Sequence, residues 1–178
     1  MNIWLKEIEL DDGIKYYELL SELSRYEDVY AKPVPEDFSL EEYEYFKKTR
    51  VHMASGINLP NNVVQTDTYY VMSEYEPIGY ATLKHKVDMD KPGGHFGCCL
   101  KKEYQNKGIG TIVSELLSKR AYFEIGLDKV IYTAKDENIQ SKRSLEHIDA
   151  KYIKKQNGYH FYEVDLRLKF EKERNVKL

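Results

Sequence analysis

The chain has 178 residues, of which 42% are hydrophobic and 32% are charged, and its formal net charge is -3. This length fits a single domain over residues 1–178, and this composition is typical of a globular protein, which excludes a disordered chain. The basic residues are dispersed along the chain, so no charged region favours nucleic acid as the main ligand.

Hydrophobic periodicity and turn residues predict seven strands and four helices, with no repeat or linker between them. In chain order, we predict a strand over 2–9, a helix to about 25, a loop over 27–38, a helix from 39 to 56, strands near 67–73, 78–86 and 95–101, a helix from 109 to 126, a strand over 130–133, a helix from 138, and two strands within 152–168. This order indicates a mixed sheet with helices packed against it.

Capping and turn residues place several of these boundaries. Asp11 and Asp12 offer N-caps to the first helix, and Ser39 with Glu42 matches the capping-box pattern at the start of the second. The Asn-Gly pair at 157–158 is a strong hairpin signal between the last two strands. Apolar residues at helical spacing predict the core faces of the first three helices: Ile14, Tyr17, Leu20 and Leu23; Tyr43, Phe46 and Met53; and Ile109, Ile112, Val113, Leu116 and Leu117.

The sequence also bears on the compartment. The first ten residues, MNIWLKEIEL, lack the basic region and apolar run of a signal peptide. No uncharged apolar stretch approaches the roughly 18 residues that cross a bilayer. The only two cysteines, Cys98 and Cys99, are neighbours and cannot join distant parts of a fold, which suits a reducing environment. We therefore expect a cytoplasmic protein with no membrane segment.

The chemically informative segment, residues 104–111, reads Tyr-Gln-Asn-Lys-Gly-Ile-Gly-Thr and lies between a strand and an amphipathic helix. Gly108 and Gly110 have no β-carbon, so a ligand can approach the main chain there. The unpaired N–H groups of a helix start, with the positive end of the helix dipole, suit a pyrophosphate. A nucleotide P-loop is absent, and Val113 occupies the third small position of a dinucleotide fingerprint. The residues alone indicate either a phosphate site or a glycine-softened helix start without a ligand.

Residues 105–110, Gln-Asn-Lys-Gly-Ile-Gly, resemble the Arg/Gln-x-x-Gly-x-Gly/Ala motif of the GNAT superfamily of N-acetyltransferases, in which this loop binds the coenzyme A pyrophosphate. The resemblance extends over about residues 67–168, with the same order of elements. Three other segments are similar to family positions: Ile78-Gly79, Leu127-Asp128-Lys129-Val130 and Asn138-Ile139-Gln140-Ser141. The segments 59–67 and 93–97 are similar to a poorly characterised bacterial branch of predicted acetyltransferases.

This resemblance implies a fold and a co-substrate. The fold is a mixed, mostly antiparallel central sheet of about seven strands with helices on both faces, in which the strand at 95–101 splays from its neighbour to admit a pantetheine arm. The co-substrate is acetyl-coenzyme A, with no metal. The residues that the resemblance assigns to coenzyme binding are Cys98, Cys99, Leu100, Gln105, Asn106, Lys107, Gly108, Ile109, Gly110, Thr111, Asn138 and Ser141, with Lys142 and Arg143 near the 3′-phosphate. For Asn138, an N-cap role is the compatible alternative.

The implied reaction is direct attack of a substrate amine on acetyl-coenzyme A in a ternary complex, which needs a general base and an acid for the leaving thiolate. Many relatives place a tyrosine as the acid at the position that Leu145 occupies here. Tyr152 or Tyr159 are the substitutes, unless the thiolate leaves without a dedicated acid. His95 and Glu146 are the candidate bases, since an ordinary histidine pKa near 6.5 suits proton transfer.

Three functions remain open at this point. The first is an N-acetyltransferase acting on a primary amine of a small molecule or peptide, and the second is a non-catalytic acyl-coenzyme A binder that regulates a partner. The third is a transferase with a longer acyl donor. A covalent acyl-cysteine and a metal site built from His85, His95, Cys98 and Cys99 are disfavoured by their spacing.

The acceptor and the oligomeric state are not encoded in a motif. Acidic residues could attract a cationic amine, although a solvated face is the simpler interpretation. Dimerisation through the C-terminal strands is a hypothesis without a supporting motif. The acidic residues concerned are Asp28, Glu36, Asp37, Glu41 and Glu42.

Overall fold

The computed structural model describes residues 1–27, 32–148 and 150–176. Within these ranges the strands are β1 (Ile3–Glu7), β2 (Thr66–Ser73), β3 (Glu76–Lys84), β4 (Phe96–Leu100), β5 (Lys129–Lys135), β6 (Lys151–Gln156) and β7 (Tyr159–Asp165). The helices are α1 (Ile14–Ser24), α2 (Leu40–Ser55), α3 (Ile109–Arg120), α4 (Ile139–His147) and α5 (Leu166–Val176). None of these helices is long and apolar enough to span a bilayer.

The strands form two antiparallel sheets that meet between β4 and β5. The first sheet has the order β1-β2-β3-β4, and the second has the order β5-β7-β6. This arrangement confirms the predicted mixed α/β fold with seven mostly antiparallel strands. The central sheet is divided, however, because β4 and β5 form no continuous ladder with each other.

Helices cover both faces, as predicted, and each face has its own hydrophobic core. On one face, the stripe Ile109, Val113 and Leu117 of α3 packs against strands of both sheets. On the other face, α1 and α2 pack against β2, β3 and β4 through a core rich in tyrosine. Successive strand residues point to opposite faces, so β3 contributes Ala81 to the first core and Tyr80 to the second. Because α3 packs against both sheets, it holds them together where the ladder is interrupted.

Two local predictions are confirmed at the level of individual hydrogen bonds. Ser39 Oγ accepts the Glu42 N–H at 3.2 Å and Glu42 Oε2 accepts the Ser39 N–H at 2.7 Å, which completes the capping box of α2. Asn157 and Gly158 both have positive φ, 50° and 76°, as the tight hairpin between β6 and β7 requires. Both features depend only on neighbouring residues, which is why the sequence reveals them.

The predicted start of α1 is wrong. The N-cap is Gly13, which makes no side-chain cap, rather than Asp11 or Asp12. Asp12 is instead buried and accepts a hydrogen bond from Lys6 Nζ at 2.6 Å. Because the helix begins later than predicted, Ile14 lies at its exposed end instead of in the core.

The predicted end of the last strand is also wrong, because β7 stops at Asp165 and α5 follows at once. Asp165 Oδ1 accepts the N–H of Leu168 at 2.8 Å and so caps the helix start. Phe170 is only 1% exposed, and its ring centroid lies 5.8 Å from that of Tyr122. A hydrophobic anchor of this kind fastens α5 to the face covered by α3.

We therefore expect Phe170→Ala to lower the free energy of unfolding by about 3–5 kcal/mol, because it removes a buried ring and leaves a cavity. Leu168→Ala is the matched control on the same helix, since Leu168 is 78% exposed, and we expect a change within about 0.5 kcal/mol. Urea unfolding followed by circular dichroism measures both. Equal losses in the two variants would contradict the packing of α5.

Candidate functional site

The gap between β4 and β5 begins at a single join. The His95 N–H donates to the Ile131 carbonyl at 2.8 Å, and the Ile131 N–H donates to His95 Nδ1 at 2.9 Å. The Gly94 N–H adds a bond to Thr133 Oγ1 at 3.1 Å. Beyond this join, the described residues of β4 and β5 share no ladder, so the strands separate.

Gly94 makes the join possible. A β-carbon at this position would lie 2.4 Å from the Ile131 carbonyl oxygen and 2.9 Å from the Tyr132 Cα. Both contacts are with the backbone of β5, so no side-chain rearrangement could relieve them. Next to the join, the rings of Phe96 and Tyr132 meet edge to face with centroids 5.0 Å apart. The two strands are therefore in close contact here, at the narrow end of the gap.

Main-chain groups of β4 line the gap. The Lys84 N–H donates to the His95 carbonyl at 2.8 Å, and the Lys101 N–H donates to the Ile78 carbonyl at 2.9 Å. These bonds frame the antiparallel ladder with β3 and determine its alternation. Odd-numbered residues of β4 pair with β3, so the even-numbered residues direct their N–H and C=O groups toward the gap.

This alternation separates the three residues that the sequence assigned to the pantetheine arm. Cys98 and Leu100 present main-chain groups to the gap, whereas those of Cys99 face β3, opposite Tyr80. The carbonyl of Leu100 accepts a hydrogen bond from the side-chain amide of Gln105 at 2.9 Å. The main-chain N–H of Leu100 remains on the open edge of β4. The main-chain groups available to a ligand therefore belong mainly to Cys98, with the Leu100 N–H beyond it.

The glycine loop forms the wide end of the gap. Asn106 and Gly108 have positive φ values of 57° and 75°, and Gly108 is the N-cap of α3. The N–H groups of Thr111 and Ile112 both donate to the Gly108 carbonyl. The earlier N–H groups at the helix start have no carbonyl one turn before them within the helix, so they remain available to an anion.

The space beside this loop is open. A β-carbon at Gly108 or Gly110 would have no atom of the protein within 4 Å, whereas one at Gly79 would lie 2.6 Å from backbone. Gly108 needs its left-handed conformation, but Gly110 has no positive φ and no close neighbour. A glycine inside a helix costs roughly 0.5–1 kcal/mol relative to alanine. Gly110 therefore leaves open space at the start of α3, where a ligand could approach the main chain.

Helix α4 borders the same loop. Asn138 Oδ1 accepts the Ser141 N–H at 2.9 Å, so Asn138 is the N-cap of α4. Gln140 Nε2 donates to Asn106 Oδ1 at 2.9 Å and ties α4 to the loop. Of the two basic residues assigned to the 3′-phosphate, Lys142 donates to the Asp136 carbonyl at 2.7 Å, and Arg143 is exposed.

His95 has a structural role in this geometry. Its Nδ1 accepts the Ile131 N–H and so carries no proton. The residue is buried, with only 7% of its surface exposed. Burial lowers the pKa of His95 and keeps the ring neutral. These contacts support a histidine that holds β4 to β5 and argue against the predicted general base.

The structure does not bring the other catalytic candidates to the gap. Tyr152 lies on β6, two strands beyond β5, which is about 10 Å away. Its ring packs edge to face against Tyr162, with centroids 5.6 Å apart. Glu146 is exposed on α4. Burial raises the pKa of Tyr162, and the charge of Glu146 raises it further. Tyr159 lies at the hairpin, with Lys135 Nζ 5.9 Å from its ring centroid.

Leu145, which replaces the tyrosine of many relatives, is 4% exposed and belongs to the core under α3 and α4. Cys98 is exposed as a residue, but desolvation of its thiol by the surrounding protein, with the neighbouring Cys99 as the smaller cause, raises the pKa of that thiol to about 12. A thiol with this pKa is a poor nucleophile near neutral pH. Within the described ranges, no three His, Cys, Asp or Glu side chains converge as a metal ion would need.

Sequence reasoning missed the partners of the join. The Pro-Gly-Gly run ending at Gly94 indicates a chain break, but its contact with Ile131 and Thr133 involves a strand more than 35 residues away in the sequence. The lone His95 resembles a catalytic histidine in type and position. Only the contact of its Nδ1 with a backbone N–H distinguishes the two roles.

Comparison with known proteins adds to this geometry. A family model described as an acetyltransferase (GNAT) domain matches residues 2–151. A search of curated proteins found no match. Similar solved structures include a probable acetyltransferase (18% identity, TM-score 0.69, covering 93% of this chain and 94% of that one). The RimL ribosomal alpha-N-protein acetyltransferase in complex with coenzyme A is also similar (11% identity, TM-score 0.71, covering 92% of this chain and 93% of that one). The Campylobacter jejuni N-acetyltransferase PseH in complex with acetyl coenzyme A is similar as well (12% identity, TM-score 0.61, covering 92% of this chain and 99% of that one). At these identities, the structural likeness shows a shared fold.

The role of His95 has a pH signature. Because its pKa is lowered in the folded state, the unfolded state binds a proton first as the pH falls below about 6.5. His95→Asn retains an acceptor oxygen for the Ile131 N–H but cannot titrate. Below about pH 6.5, we expect the free energy of unfolding of the wild type to fall relative to that of this variant, by up to about 1.4 kcal/mol per pH unit. Above that pH, the difference in the free energy of unfolding between the two proteins should stay constant. Urea unfolding between pH 5 and 8 measures this, and parallel pH profiles would contradict it.

Proposed function

The chain belongs to the GNAT acetyltransferase family, and from this premise we propose that it transfers an acetyl group from acetyl-coenzyme A to a primary amine of a small molecule or peptide. The observation that carries the proposal is the shape of the gap. It is closed at the His95–Ile131 join, lined by the free edge of β4, and open at the glycine loop. This path suits a long, narrow thioester with a pyrophosphate at its wide end.

The glycine loop would hold the pyrophosphate. The N–H groups at the start of α3 point outward with the positive end of the helix dipole behind them. The open space at Gly108 and Gly110 lets phosphate oxygens approach the main chain. Similar structures carry coenzyme A or acetyl coenzyme A, which supports the choice of co-substrate.

The free edge of β4 would hold the pantetheine arm. The Leu100 N–H, next to the glycine loop, would pair with one of its amides, as a neighbouring strand would. The bound co-substrate supplies an activated acetyl thioester. The Cys98 N–H, which lies farther from the glycine loop on the same edge, would stabilise the negative charge that develops on the thioester oxygen during attack by the amine.

The proton transfers have no dedicated side chain among those predicted. His95 Nδ1 is engaged with the Ile131 N–H, and Leu145 lies in the core. We infer that the amine attacks in its neutral form and that the thiolate leaves without a tyrosine acid. The rate should then rise with pH as the acceptor amine loses its proton.

Leu145 also keeps a second function open, a non-catalytic acyl-coenzyme A binder that regulates a partner. Such a protein would need the loop and the β4 edge but no proton transfer. Acceptor-dependent release of free thiol separates the two functions, because a binder cannot produce it.

We therefore expect free thiol to be released from acetyl-coenzyme A when the protein is mixed with one member of an amine panel. The panel contains polyamines, aminoglycosides, amino acids and short peptides, and the readout is a thiol-reactive dye. Turnover with any amine above the amine-free rate supports the transferase. Binding of the co-substrate without turnover across the panel favours the regulatory binder, and absence of binding would refute both.

Substitutions at Gly110 test the loop itself. We expect Gly110→Glu to weaken acetyl-coenzyme A binding at least about 100-fold, since it places bulk and negative charge in the phosphate space. Gly110→Ala is the matched control. We expect it to bind as the wild type does and to gain about 0.5–1 kcal/mol of stability from helix propensity. Titration calorimetry and thermal unfolding measure the two effects, and unchanged binding by the glutamate variant would exclude this loop.

A further inference from the structure

The guanidinium of Arg50, on α2, has no carboxylate partner among the residues that the structure describes. Its Cζ lies 4.9 Å from the Phe46 ring centroid, and its Nη1 lies 3.7 Å from Met53 Sδ. The Nε atom is buried and makes no hydrogen bond. A partly buried guanidinium normally pairs with a carboxylate or phosphate through its planar fork of N–H groups. Arg50 therefore lacks the anion that its surroundings lead us to expect.

A second unpartnered group lies beside it. Thr68 on β2 is only 4% exposed, and its Oγ1 completes no hydrogen bond. Thr68 lies close enough to the hydroxyl of Tyr80 on β3 to lower the pKa of that hydroxyl, but Thr68 Oγ1 has no hydrogen-bond partner. The Tyr80 ring centroid lies 6.3 Å from that of Phe46, and Arg50 Cζ lies 4.9 Å from the same Phe46 ring, so Arg50 and Tyr80 flank one ring. Burial raises the pKa of Tyr80, and the charge of Arg50 opposes this rise. Polar groups of α2, β2 and β3 thus converge on one face of the sheet.

The same face continues toward the gap as a half-exposed polar floor. By strand alternation, Thr82 and Lys84 share the face of Tyr80. Thr82 is paired with Gly97 on β4, and its Oγ1 lies 2.7 Å from where a Gly97 β-carbon would be. Within the described chain, Lys84 makes no ion pair with a carboxylate. Strands are about 4.8 Å apart, so Tyr80 lies on the order of 10 Å from the gap.

We propose that this anion floor, formed by the half-exposed Arg50, Thr82 and Lys84 over the buried hydroxyls of Thr68 and Tyr80, binds an acidic group of the acceptor. The acceptor is then an amine that also carries a carboxylate or a phosphate. Arg50 binds two of its oxygens, and Lys84, four residues beyond Tyr80 on β3, adds positive charge toward the gap. The inference rests on the proposed transferase function and narrows its substrate class.

The charges of the floor also select against other amines. Two cations on one face repel a polyamine or aminoglycoside and attract a zwitterion or a phosphorylated amine. Two of the acidic residues that could attract a cationic amine are engaged locally. Glu36 pairs with Lys32, and Glu42 caps α2, whereas Asp28 lies outside the described residues.

The test measures binding of inorganic phosphate and of acetate to the protein saturated with coenzyme A, so that the glycine loop is already filled. We expect one of the two anions to bind the wild type and to bind Arg50→Gln at least tenfold more weakly. Lys48→Gln, an exposed residue of the same helix, is the matched control and should bind as the wild type does. Preference for phosphate indicates a phosphorylated amine, and preference for acetate indicates an amino acid or peptide terminus.

The same variants are then compared in thiol release with two amine pairs, phosphoethanolamine against ethanolamine and an amino acid against its amide. We expect the acidic member of one pair to react at least tenfold faster with the wild type, and this preference to disappear in Arg50→Gln. Equal anion binding by the wild type and Arg50→Gln, or no anion binding by either, overturns the inference. The coenzyme A affinity of each variant is measured separately, because its loss in the wild type would refute the proposed function instead.

Discussion

The exchange of hydrogen bonds between His95 and Ile131 is the constraint on which the candidate site depends. It fastens β4 to β5 at one point, and the rest of the two strands is free to separate. The main-chain groups of Cys98 and the Leu100 N–H have no partner strand because this join is short. A longer ladder would close the gap, and without the join the two sheets would be connected by side-chain packing alone, such as the contact of Phe96 with Tyr132.

The short join has a local chemical cause. Gly94 brings the chain into contact with the backbone of β5, and the unprotonated Nδ1 of His95 takes the place of a carbonyl as the acceptor for the Ile131 N–H. A side chain thus satisfies a backbone donor that a continuous sheet would satisfy with another strand. Further along, the Gln105 amide occupies the Leu100 carbonyl and ends the strand at the glycine loop. The gap is therefore bounded at both ends by side-chain to backbone bonds.

The two faces of the sheet have different environments. On the α3 face, the open glycine loop and the helix start suit an anionic co-substrate. On the α2 face, the groups around Arg50 and Lys84 are basic and hydroxylic, and several remain unpartnered. The glycine loop follows β4, and the region on the α2 face reaches β4 through Thr82, which is paired with Gly97. Ligands bound in these two regions would approach β4 from opposite faces, which suits direct transfer between two bound substrates.

The sequence by itself determined the features that depend on near neighbours. The capping box of Ser39 and Glu42, the Asn157-Gly158 hairpin and the glycine loop each lie within a few residues, so their chemistry is readable from the chain alone. Their order also sufficed to indicate the fold class and the family. Only the tertiary structure decided the start of α1, where Asp12 pairs with Lys6, and the start of α5, where the apolar alternation of Val164, Leu166 and Leu168 imitates a strand. It likewise decided the role of His95, because its partner Ile131 lies on another element, and residue type and spacing carry no record of such distant contacts.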